Sequence, residues 1–135
     1  MDEASAVLDS SALLAWLHLE PGALIVRAAL DKKAAMSAVN WAEVLTKLAD
    51  LGQNPDAVSI TLLNSGLFKN DLILWPLDEG FALDTARLRV STRSTGLSLG
   101  DRACIALGQR LRLPILTADR AWKNLRLGVR VRLIR

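Results

Sequence analysis

The chain has 135 residues, 51% of them hydrophobic, and a mean hydropathy of +0.26, which excludes disorder and fits one domain spanning residues 1–135. One cysteine, Cys104, and one histidine, His18, exclude a disulfide framework and a metal site built from Cys or His. The net charge of +3 hides a split: residues 1–86 hold 5 basic and 12 acidic side chains, whereas residues 87–135 hold 12 basic and only two acidic ones, Asp101 and Asp119. Such a split points to a polyanionic partner or to a solvated basic surface.

The start, Met1-Asp2-Glu3, is acidic where an export signal needs positive charge, and no apolar run approaches the roughly 18 residues of a membrane span, so a cytoplasmic chain is expected. Residues 4–8 predict a buried strand ending at Asp9. Helical spacing follows from Ser10 to Leu19, then a break at Glu20-Pro21-Gly22, with Pro21 placed in the first turn of a helix to about Leu30. Residues 33–39 predict a second strand. Asn40 is expected to cap a helix over 41–51, and Asn54 with Pro55 to start another to about Leu67. A third strand is predicted over 71–76. Asp78 caps a helix to about Thr92, with Phe81, Leu83, Ala86 and Val90 as its apolar positions. Residues 91–96 read as a polar loop, and Ser98 caps a helix over 99–111. A fourth strand covers 113–117, a turn follows at 118–122, and residues 129–133 alternate apolar and basic as an edge strand. This alternation predicts an α/β fold: a mainly parallel sheet of four to five strands with helices on both faces, an α/β/α sandwich.

Four acids share one kind of address. Asp9 ends the first strand, Glu43 and Asp101 lie in first turns of helices, and Asp119 follows the fourth strand. Ligand sites of open parallel sheets lie beyond the carboxyl ends of the strands. Each acid also has a plain structural use. Asn40-x-x-Glu43 and Ser98-x-x-Asp101 have capping-box spacing, and Asp9 and Asp119 suit N-caps. Gathered at one edge, however, four carboxylates repel, and either a proton or a cation must relieve them. An all-oxygen donor set suits one or two Mg²⁺ or Mn²⁺ ions rather than zinc.

Val7–Leu17 (VLDSSALLAWL), Ser37–Leu48 (SAVNWAEVLTKL), Gly96–Leu107 (GLSLGDRACIAL) and Leu113–Trp122 (LPILTADRAW) together resemble the PIN-domain ribonucleases, and among them the VapC-type toxins of bacterial toxin–antitoxin pairs. The resemblance covers nearly the whole chain, and its last two segments are the specific part. It places the family's acidic quartet on Asp9, Glu43, Asp101 and Asp119, the hydroxyl beside the first acid on Ser10 or Ser11, and a Thr-x-Asp hydroxyl on Thr117. It implies a Mg²⁺- or Mn²⁺-dependent endoribonuclease that hydrolyses RNA by water attack and leaves a 5′-phosphate. It also implies a homodimer and a cognate antitoxin that inhibits it. Within that implication Asp9, Asp101 and Asp119 are metal ligands, Glu43 ligates or orients water, and Ser10 and Thr117 hold the carboxylates. Arg102 and Arg120, each next to one of the acids, are candidate RNA contacts. A non-cleaving PIN-like RNA-binding or scaffold module and a DNA-directed nuclease are the alternatives.

Overall fold

The computed structural model describes residues 3–135; Met1 and Asp2, included in the expected domain and its acidic start, lie outside the described residues. Five strands form one sheet: β1 (Ala6–Leu8), β2 (Ala34–Ser37), β3 (Leu72–Trp75), β4 (Ile115–Thr117) and β5 (Val131–Leu133). Their order is β3-β2-β1-β4-β5, and every pairing is parallel, with Val7 opposite both Ala35 and Ile115. Six α-helices connect them: α1 (Ser10–Leu17), α2 (Ala23–Asp31), α3 (Ala38–Asp50), α4 (Pro55–Asn64), α5 (Glu79–Ser91) and α6 (Leu99–Leu111).

The side chains of a strand alternate between its two faces, and each face has its own core. Ala6, Leu8, Ala34, Met36 and Leu72 join Leu13, Val26, Val44 and Leu48 from α1, α2 and α3. Val7, Ala35 and Ile115 join Phe81 and Leu88 of α5, Cys104 and Leu107 of α6, and Trp122. The chain travels outward from β1 to β3, then returns past β1 to place β4 and β5 on the other side. Parallel crossovers are right-handed, so reversing the direction of travel moves the connecting helices to the opposite face. The reversal between β1 and β4 is the topological switch point, where such sheets open a crevice at their carboxyl ends.

Several caps stand where the residues predict them. Asn54, Asp78 and Ser98 each accept a backbone N–H from the first turn of α4, α5 and α6, and Pro55 is the first residue of α4. The cap of α3 differs: it is Ser37, whose Oγ accepts from the Asn40 N–H at 3.1 Å, while Asn40 lies inside the helix. Pro21 precedes α2, which Gly22 caps at a φ of 98°. An added Cβ on Gly22 would stand 2.7 Å from the Ile134 carbonyl, so the C-terminal segment closes on this glycine. The buried face of α5 also differs. Phe81, Thr85 and Leu88 point inward, whereas Leu83 and Val90 are 51% and 72% exposed and Ala86 is exposed too. Threonine serves as a core residue here because Thr85 Oγ1 donates to the Phe81 carbonyl of its own helix at 2.8 Å, leaving its methyl to pack. Within the expected polar loop at 91–96, residues 93–95 form one 3₁₀ turn, and Thr92 beside it is buried. Among the described residues no helix is long and apolar enough to cross a membrane.

Candidate active site

Asp9 and Asp119 leave β1 and β4, the two strands that flank the switch point. Asp9 caps α1, its Oδ1 accepting from the Ala12 N–H at 2.8 Å and from Ser11 Oγ at 2.7 Å. Thr117 Oγ1 donates to Asp9 Oδ2 and accepts the Asp119 N–H at 3.0 Å, so one hydroxyl joins the ends of both strands. Ser11 Oγ also accepts the Ala118 N–H at 2.9 Å. The hydroxyl that braces Asp9 is therefore Ser11. Ser10, the residue singled out for that task, makes no side-chain hydrogen bond among the described residues. It stands one step, about 100°, around the helix from Ser11, so the two hydroxyls cannot share a target.

Glu43 and Asp101 come from α3 and α6. Glu43 lies one turn into α3, where Asn40 Nδ2 donates to its Oε1 at 2.9 Å. A Cβ on Gly100 would overlap the Glu43 carboxyl group, so that group rests on the bare α-carbon next to Asp101. Asp101 completes a capping box: Ser98 Oγ accepts its N–H at 3.1 Å and its Oδ2 accepts the Ser98 N–H at 3.0 Å. The capping use of Asp9, Asp101 and Asp119 is thus real, and it coexists with their convergence on one edge. Fully buried Cys104 reports that convergence: its thiol is pushed up by burial first, then by the charges of Asp9, Asp101 and Glu43. Asp101 and Asp119 in turn share a cleft of about 420 Å³, lined also by Thr95, Trp122 and Asn124.

Asp9 is only 5% exposed. Burial pushes its carboxyl up to about 6; the donors Thr117, Ser11 and the Ala12 N–H pull it back, and the charge of Asp101 raises it further. Of 17 lysines and arginines, none forms an ion pair with any of the four acids among the described residues. Four acids elsewhere do find a cation: Arg110 reaches Asp84 at 3.0 Å and Asp78 at 3.9 Å, Arg27 reaches Asp31 at 3.3 Å, and Arg135 reaches Glu20 at 3.4 Å.

A buried carboxylate braced by neutral donors and facing like charges is an electrostatic deficit that a hard cation fits. Among the described residues no three His, Cys, Asp or Glu side chains form a ready cage around one point. The arrangement instead suits an ion held by one or two carboxylates, with water completing the shell, the usual protein share for Mg²⁺.

The two arginines next to these acids are engaged elsewhere. Arg102 Nη1 donates to the Thr85 carbonyl of α5 at 3.1 Å, and Arg120 Nη1 donates to the Arg135 carbonyl at 3.0 Å. The tryptophans serve packing: Trp41 meets Phe68 edge-on at 5.0 Å, Trp16 and Trp75 lie against the two cores, and Trp122 is buried. The residues that sequence reasoning assigned differently are Ser11 and Asn40. Ser11 was one of two adjacent serines, and Asn40 carried a capping signal that Ser37 fulfils.

The PIN domain family model matches residues 6–127. Solved structures share the fold over nearly the full chain. DNA-bound VapBC from Salmonella typhimurium aligns at a TM-score of 0.71 and 12% identity, covering 97% of this chain and 98% of that one. A toxin–antitoxin complex from Klebsiella pneumoniae gives 0.69 and 19%, over 97% and 98% of the two chains. FitAcB from Neisseria gonorrhoeae gives 0.70 and 20%, over 93% and 95%. No curated protein matches the chain significantly in sequence. With the family model spanning β1 to β4 and all six α-helices of this parallel sheet, the chain belongs to the PIN domain family.

Proposed function

We propose that this chain is a Mg²⁺- or Mn²⁺-dependent endoribonuclease, the toxin of a toxin–antitoxin pair. One observation carries the reading: four carboxylates stand at the switch-point edge of a PIN fold, and among the described residues none of them forms an ion pair with a cationic side chain. Asp9, Asp101 and Asp119 would hold one or two ions, and Glu43 would hold an ion or orient the attacking water. A bound divalent cation supplies charge neutralisation at the scissile phosphate and lowers the pKa of water.

The chain's own residues do the rest. Ser11 and Thr117 fix both oxygens of Asp9, so this carboxylate presents a set direction to the crevice. Thr117 also holds the Asp119 backbone and ties the two strand ends together. The RNA backbone needs cations beside the acids, and those next to the cleft are Lys123, Arg126 and Arg130. They are exposed, line a groove of about 480 Å³ that shares Leu125 with the acidic cleft, and form no ion pair among the described residues. They replace Arg102 and Arg120 as the proposed phosphate contacts.

The partners in this reading are an inhibitory antitoxin and a second copy of the chain, in the cytoplasm. The α1–α3–α4 side supports them. Leu51, Ile60 and Leu63 are more than half exposed there, beside a groove of about 450 Å³ lined by Leu17, Leu48, Val58 and Leu62.

The test is incubation of purified protein with RNA and DNA in parallel, with Mn²⁺, Mg²⁺ or EDTA. RNA cleavage with either metal, 5′-phosphate ends and silence in EDTA are the expected results. Cleavage of DNA alone would reassign the substrate. RNA binding without turnover would make the chain a non-cleaving module.

A further inference from the structure

Asn40 is 1% exposed and fully engaged. Its Oδ1 accepts from Ser37 Oγ at 2.7 Å, and its Nδ2 donates to Glu43 Oε1 at 2.9 Å and to the Gly100 carbonyl at 3.0 Å. This network admits one orientation of the amide, because the reverse would set its oxygen against a carboxylate and a carbonyl. The side chain therefore links three things: the cap of α3, the Glu43 carboxylate, and the peptide that precedes Asp101 on α6. Gly100 supplies the complementary constraint, since any Cβ there would overlap the Glu43 carboxyl group. A cap alone needs only Ser37, and a helix–helix contact alone is served by apolar side chains without burying an amide.

We infer that Asn40 is a positioning residue: with Gly100 it holds the Glu43 carboxylate over the first turn of α6, beside Asp101, and sets the spacing of these two acids for a divalent cation. The inference rests on the metal-site reading above, and it concerns two residues outside the acidic quartet.

The experiment is calorimetric titration of the full chain with Mn²⁺, without substrate, for the wild type, Asn40→Ala, Gly100→Ala, Glu43→Gln and the Asn40→Ala/Glu43→Gln double variant. Circular dichroism and thermal unfolding of each run alongside. Loss of a residue that orients a ligand weakens metal binding about 10–100-fold. Asn40→Ala and Gly100→Ala are each expected to show that loss while keeping the folded spectrum. In the Glu43→Gln background Asn40→Ala should then change Mn²⁺ affinity by less than about twofold, because nothing remains to be positioned. Gly100→Ala leaves Asn40 in place and decides the matter if Asn40→Ala does not fold.

Two results overturn the inference alone. One is Mn²⁺ affinity that falls in Glu43→Gln yet is unchanged in Asn40→Ala and Gly100→Ala. The other is losses that multiply in the double variant, the mark of a merely structural tie. A wild-type chain that takes up no Mn²⁺ overturns the metal-site reading itself.

Discussion

The outer side of α5 and α6 and the carboxyl edge of the sheet treat acids in opposite ways. On the outer side Arg110 spans Asp78 and Asp84 and lies 5.4 Å from the Phe81 ring, while Arg87 adds a second contact to Asp84 at 3.6 Å. At the edge Asp9, Glu43, Asp101 and Asp119 receive hydroxyls, an amide and backbone N–H groups, and, among the described residues, no cation. The first arrangement satisfies charge in place. The second fixes the direction of charge and leaves it uncompensated, an arrangement suited to a mobile cation rather than to stability.

Removing charge at the edge should break this contrast most strongly. Asp9→Asn combined with Asp101→Asn is expected to lower metal-dependent RNA cleavage by roughly a thousandfold or more, since lost metal contacts cost several kcal/mol of barrier. Gel assays of RNA cleavage check this, with circular dichroism to show a retained fold; full activity would exclude the assignment.

The stability of the metal-free protein should show the same uncompensated charge. Asp9 holds its proton up to about pH 6 when folded, against an ordinary value of 3.8. The folded state thus binds the proton more tightly, so this group's contribution is complete below pH 3.8 and is lost as pH rises to about 6. The loss is about 3 kcal/mol. Urea unfolding in EDTA across that range should show the decline in the wild type and not in Asp9→Asn, which should be the more stable of the two at pH 7.5.

The neighbouring serines offer a finer comparison. Ser11→Ala removes a brace from Asp9 and should cut cleavage about 10-fold or more, whereas Ser10→Ala should change it less than about twofold. Equal effects, read from initial rates, would place the brace elsewhere. The smallest effect belongs to the outer side. Arg110 is one-third exposed, and Arg110→Ala should cost at most about 1 kcal/mol in urea unfolding and leave cleavage untouched.

Much of this was legible in the residues. Strand-to-helix alternation gave the layers, and caps such as Asn54, Asp78 and Ser98 carry their signal locally, so they needed no tertiary information. The four acids were legible because parallel topology sends every strand end to one edge. What escaped depends on choices between near-equivalent neighbours. Ser37 and Asn40 are both good caps three residues apart, and contacts with Ser37, Glu43 and α6 hold Asn40 inward. Thr85 and Thr92 displaced Leu83 and Val90 from the buried face because a hydroxyl that bonds its own helix costs little to bury. Arg102 and Arg120 follow acids in sequence, but successive residues of a helix point about 100° apart, and each finds a carbonyl away from the crevice.

Thermal unfolding with and without Mn²⁺ tests the central claim most directly, with Asp9→Asn beside the wild type. A cation at a hundred times its dissociation constant stabilises the folded state by about 2.7 kcal/mol, and this should raise the wild-type midpoint by several degrees. The same cation should leave Asp9→Asn unmoved. An equal rise in both proteins, or none in the wild type, would contradict a cation site at the four unpaired acids.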